Sequence, residues 1–78
     1  MSVAMNGYGV VERVYRPLGI GVIKPNKEND PEVIFTIRSV KGGEDGFHEI
    51  KQGDNVNYEI FQEDFGGRKL ARDVWPKG

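Results

Sequence analysis

Hydrophobic positions come in short runs split by polar and glycine residues, and no run supports a credible helix. Residues 7–15 carry Tyr8, Val10, Val11, Val14 and Tyr15, residue types that favour a strand. Pro17 cannot donate to a ladder and marks the way out of that strand. Residues 18–23 then read Leu-Gly-Ile-Gly-Val-Ile, with glycine at every second place. The run is too short for a helix, and each glycine there would cost about 1 kcal/mol against alanine. A strand accepts glycine where it bends or where another chain comes close. Alternation sets Ile20 and Val22 on one face and Gly21 and Ile23 on the other.

Residues 24–31 hold two prolines, two asparagines and several charges, and form a loop. Val33-Ile34-Phe35-Thr36-Ile37 is the densest run of β-formers and predicts the third strand. Strict alternation would bury Val33, Phe35 and Ile37, but Ile34 is apolar too, so the pattern alone does not choose a face. Residues 41–48 contain three glycines and two acids and read as a long connection. A fourth strand over residues 55–62 alternates Val56, Tyr58 and Ile60 with polar residues. Gly66-Gly67 makes a hairpin turn into a fifth strand over residues 69–75, stopped by Pro76. Five short, closely spaced strands point to a small sandwich or a closed barrel, and the expectation is one all-β barrel. Its expected limits are residues 7–76, after a flexible start over residues 1–6. Val11, Ile23, Val56, Tyr58, Ile60, Ala71 and Val74 are assigned to the core, and Trp75 to one end of the barrel.

Length and charge sharpen this picture. A chain of 78 residues makes one domain near the lower limit for a self-sufficient core. It has no cysteine, hence neither disulfides nor thiolate metal sites. With no apolar stretch near the roughly 18 residues that span a bilayer and no leader-like start, the expectation is a cytoplasmic protein without membrane contact. The net charge of −1 is unevenly spread: +2 over residues 1–43, −6 over 44–66 and +3 over 67–78. Such a chain can fold with one basic and one acidic side, although ordinary solvated surface gives the same pattern.

Several pieces, in order, resemble the cold-shock domain family. Gly9-Val10-Val11, followed ten residues on by Gly19-Ile20-Gly21-Val22-Ile23, is similar to the family's opening G-x-V-K-W-F-N-x-x-K-G-F-G-F-I. Residues 33–37 stand where the family has its apolar-Phe-apolar-His run. The stretch from Gly46-Phe47 to Gly53 resembles G-F-x-x-L-x-x-G, Val56-Asn57-Tyr58-Glu59-Ile60 resembles V-x-F-E-V, and residues 67–74 resemble G-x-x-x-A-x-x-V. The resemblance covers residues 7–75 and implies an all-β, five-stranded antiparallel OB-fold barrel that binds single-stranded RNA or DNA in the regulation of gene expression. It also implies that bases stack on aromatic side chains of the first three strands, each worth about 1–3 kcal/mol. Here most of those places have changed: Arg13, Val14 and Tyr15 replace the Trp-Phe-Asn of the first strand, Ile20 and Val22 replace two phenylalanines, and Ile37 replaces the histidine. Phe35 and Phe47 match, and the family register implies that Ile20, Val22, Phe35 and Ile37 lie together on the outer face, with Ile34 in the core.

The candidate nucleic-acid-binding residues are therefore Arg13, Tyr15, Arg16, Ile20, Val22, Phe35, Ile37, Arg38 and Phe47. Arginine offers phosphate contacts and planar stacking in place of aromatics, so binding is expected to be weaker and more electrostatic than in the family. Phe47 either pins its loop to the barrel or meets the ligand. An alternative function uses Ile20, Val22, Phe35 and Ile37 as an exposed aliphatic face for a protein partner or a second copy; a third reading covers these residues as core. Catalysis has little support: His48 stands alone beside Glu49, and Ser2 and Ser39 are the serines present. One histidine makes no metal cluster, so neither an enzyme nor a metal or other cofactor is expected.

Overall fold

Five strands and one short helix organise the chain in the computed structural model, which describes residues 5–76, the side chains of residues 5 and 62–65 excepted. β1 (Met5–Tyr15) passes through a single 3-10 turn (Arg16–Leu18) into β2 (Ile20–Pro25). β3 (Val33–Thr36), a helix α1 (Gly43–Glu49), β4 (Asn55–Phe65) and β5 (Arg68–Pro76) follow. The strands close a barrel in the order β1-β2-β3-β5-β4, with β4 returning to pair with β1. Closure leaves no open sheet edge, which removes the hazard of edge-to-edge pairing. The β3–β5 seam is parallel, at Val33–Lys69 and Ile34–Leu70, and the remaining seams are antiparallel.

The all-β barrel expected from the pattern is thus present, with its turn at Gly66-Gly67 in place. β1 begins at Met5, two residues before the expected start, while residues 1–4 of the expected flexible start lie outside the described residues. β2 is displaced toward Pro25, because Arg16–Leu18 coil into the 3-10 turn and Gly19 closes it with φ 66°. That left-handed conformation is one that glycine adopts without a Cβ penalty.

The helix corrects the expectation of a plain connection over residues 41–48. Seven residues are too few to hold a helix in water by themselves. Glu44 and Asp45 in its first turn favour the helix dipole, but tertiary contacts hold it. Phe47 is fully buried, its ring edge-on to that of Phe35 with centroids 6.2 Å apart. Arg16 donates from its guanidinium to the carbonyls of Phe47 (3.3 Å) and Ile50 (2.6 Å), just where α1 runs out of internal partners.

The core consists of Val11, Ile23, Val33, Phe35, Val40, Phe47, Ile50, Val56, Tyr58, Ala71 and Val74. Ile60 is half-buried and packs against it. Ile34, assigned to the core from the sequence, instead lies half-exposed on the outside. Trp75 is half-buried, and the Lys41 ammonium sits 5.0 Å from its ring centroid.

Candidate functional site

A bulge in β1 decides what the outer face carries. Val11 pairs with Ile23, but the next pair is Arg13 with Val22, so Glu12 is the extra residue. Without it, alternation from the buried Val11 would turn Arg13 and Tyr15 inward. The extra residue resets the alternation, so that Val14 packs on the core while Arg13 and Tyr15 face out. Two cross-strand rows result: Arg13, Val22 and Ile34 form one, and Tyr15, Ile20 and Thr36 the other.

Between and beside these rows runs an open groove of about 430 Å³. Ile20, Val22 and Ile34 make an aliphatic floor, and Leu18, 71% exposed, stands at its edge. The polar rim is built from Glu12, Arg13, Tyr15, Glu32 and Arg68. Arg68 pairs with Glu32 at 3.3 Å across the β3–β5 seam. Arg13 donates to the Tyr15 hydroxyl at 3.3 Å, and this bond, followed by the nearby charges, raises its pKa further above the usual arginine value. Among the described residues no carboxylate lies within ion-pair distance of Arg13. Its remaining donors therefore face the groove and solvent.

Four of the nine residues named from the sequence, Arg13, Tyr15, Ile20 and Val22, meet in this groove. The other five do not. Phe35 points inward opposite Gly21 and is fully buried, the face that the apolar Ile34 beside it had left open in the sequence. Phe47 is also fully buried, pinning α1 to the barrel rather than meeting a ligand. Arg16 holds the end of α1. Ile37 leans on the core beside Gly19, and Arg38 is exposed in the turn after β3, away from the groove. Conversely, Glu12, Leu18, Ile34 and the Glu32–Arg68 pair belong to the groove without having been named as site residues; Ile34 was hidden by the uniform hydrophobicity of its strand.

A second, larger opening of about 660 Å³ lies at the end of the barrel, between α1 and the start of β4. Asp45, Glu49 and Asp54 ring an apolar base of Val40, Ile50, Val56 and Pro76. Asp54 accepts from the Lys51 backbone N–H at 2.9 Å and so closes its own turn. His48 is exposed, with its ring edge toward Phe47, and Ser39 is buried with its hydroxyl donating to the Ala71 carbonyl at 3.0 Å.

No protein-family model matches this chain, and no curated protein sequence matches it. The fold is similar to two solved structures of CusF. One is the Ag(I) form, with a TM-score of 0.63 and 19% identity over 97% of this chain and 100% of that one. The other, from Escherichia coli, is a tryptophan-to-alanine variant with Cu(II), with a TM-score of 0.60 and 19% identity over 100% of both chains. At that identity the likeness establishes the fold, an OB-like barrel.

These findings overturn the nucleic-acid reading and its single-stranded RNA or DNA partner. The similar structures are those of a protein carrying metal ions, and both retained stacking aromatics are interior. The alternative face of Ile20, Val22, Phe35 and Ile37, for a protein partner or a second copy, is not formed either, since Phe35 is inside and Ile37 packs on the core. The cytoplasmic placement is overturned by the same likeness to CusF and is not kept.

Proposed function

We propose that this chain is a non-catalytic binding barrel whose ligand lies in the groove across β1, β2 and β3. The ligand class that suits the groove is a small organic molecule with an apolar body and an anionic or other acceptor head. Its body would cover Ile20, Val22 and Ile34, and its head would accept from Arg13 beside Tyr15. The observation that carries this reading is the pairing of Arg13 with Val22 and Ile34 in one outward row. It sets a guanidinium without a carboxylate partner among the described residues directly beside an aliphatic floor. Charge-assisted bonds from arginine to a carboxylate or sulfonate are among the stronger polar contacts, and apolar area removed from water adds about 25 cal/mol per Å².

The likeness to CusF supports a binding role for such a barrel and makes a metal ion the competing ligand. Soft ions such as Ag(I) take thiolate, thioether and imidazole donors, and Cu(II) favours imidazole with other nitrogen and oxygen donors. The residues lining the groove offer none of the sulfur or imidazole donors. Among the described residues no three of His, Cys, Asp and Glu stand close enough to hold an ion together. That donor set does not fit the metals of CusF, and it favours an organic ligand.

Fluorescence titration with 1-anilinonaphthalene-8-sulfonate, an apolar body with one anionic head, tests the reading. The native chain should enhance the dye's emission, and Val22→Glu, with its side chain on the outside, should fold normally and remove the enhancement. Equal enhancement by a folded Val22→Glu chain would refute the groove.

A further inference from the structure

We infer that this chain keeps the barrel of the CusF structures without their metal binding, and that among the described residues a soft ion finds His48 as an isolated donor. The donor inventory is short: no cysteine, one histidine, and two methionines at positions 1 and 5. His48 sits in the last turn of α1 with its side chain exposed. Glu44, Asp45 and Glu49 share that short helix, yet these side chains do not gather around a common point with it. In the groove, the outward rows present Arg13, Val22 and Ile34, then Tyr15, Ile20 and Thr36. The groove's oxygen donors, Glu12, Glu32 and Tyr15, are hard ones, Glu32 is paired with Arg68, and the Arg13 guanidinium opposes a cation, so no soft donor is offered there. The barrel's topology thus matches that of the metal-carrying CusF structures while its side chains do not suit their ions, because affinity for such ions resides in donor type and geometry rather than in the strand order.

The inference stands apart from the organic-ligand reading, since the dye titration and a metal titration fail independently. The test is calorimetric titration of the full chain with silver nitrate, and separately with copper(II) sulfate, in chloride-free buffer, together with thermal melts at tenfold metal excess. A ligand that binds the native state alone stabilises it by RT ln(1 + L/Kd), with L the free ligand concentration, so weak binding barely moves the melting temperature. The expected result is weak binding, a melting temperature that moves by less than about 1 °C, and loss of the residual heat in His48→Asn. Tight one-to-one binding with a melting temperature raised by several degrees, retained in His48→Asn, would overturn the inference. So would the same tight binding lost in Met5→Leu, which would place a metal site at the start of β1.

Discussion

Gly21 and Phe35 are direct partners across β2 and β3, and the phenylalanine ring occupies the space a side chain at residue 21 would need. A Cβ built on Gly21 runs into the far edge of the ring. The alternating glycines of residues 18–23 thereby receive separate explanations: Gly19 turns the chain with φ 66°, and Gly21 makes room for a fully buried phenylalanine of the core. Ile20 and Val22, between and after them, are left to the outer face.

Gly21→Ala should therefore destabilise the barrel by about 1–3 kcal/mol, the usual range for overpacking. Combining it with Phe35→Leu should show coupling, the double variant being more stable than the two single losses predict. Urea denaturation of the four chains measures this, and strict additivity would separate the two residues.

Phe47 was read from the sequence as a loop aromatic with two possible roles. Because it is fully buried against Phe35, Phe47→Ala should cost about 3–5 kcal/mol. A loss below about 1 kcal/mol, the scale of surface substitutions, would return Phe47 to the surface. The same denaturation experiment decides it.

Arg13 and Arg16 look alike in the sequence, three residues apart and both suited to phosphate. Their environments separate them: one faces the groove, the other bonds the carbonyls of Phe47 and Ile50. Arg13→Gln should weaken dye binding roughly tenfold, about the worth of one charge-assisted hydrogen bond, with little change in stability. Arg16→Gln should do the reverse, lowering stability by about 1–3 kcal/mol and speeding hydrogen exchange in α1 while the dye still binds. Matching effects from both would contradict the division of labour.

Tyr58 gives a pH dependence whose sign is fixed. Burial, and then the charge of Asp30, raise its phenol pKa above the usual value. The folded state thus holds the proton more tightly than the unfolded chain does, so stability rests on the neutral phenol. This contribution is complete below pH about 10, the unfolded value, and is lost as pH rises through the folded value. Chemical denaturation between pH 8 and 12 should show a fall in stability that Tyr58→Phe lacks.

Much of the fold was legible because it is local. The β-formers of residues 33–37, the Gly66-Gly67 turn and the alternation of Val56, Tyr58 and Ile60 each declare a strand or a turn from neighbours in sequence. What stayed hidden depends on distant partners. The helix α1 forms because Phe47 reaches Phe35 and because Arg16, 31 residues before Phe47, holds its end. The groove was half legible for a similar reason. Ile20 and Val22 follow from alternation, but the outward turn of Arg13 and Tyr15 needs the bulge at Glu12, which no residue type announces. In the third strand alternation left the face open because Ile34 is apolar too, and fitting the strand to the cold-shock pattern turned Phe35 out and Ile34 in, the reverse of the structure.

The ligand face is tested most directly by NMR, following amide and methyl shifts of the native chain during titration with 1-anilinonaphthalene-8-sulfonate. The naphthalene ring current should move the methyl signals of Ile20, Val22 and Ile34 and the amides of Arg13 and Tyr15, and leave those of Val33 and Phe47 in place. Shifts centred on Val40, Ile50 and Val56 would put the ligand at the acidic end of the barrel instead, and an unperturbed spectrum would contradict a binding face on β1, β2 and β3.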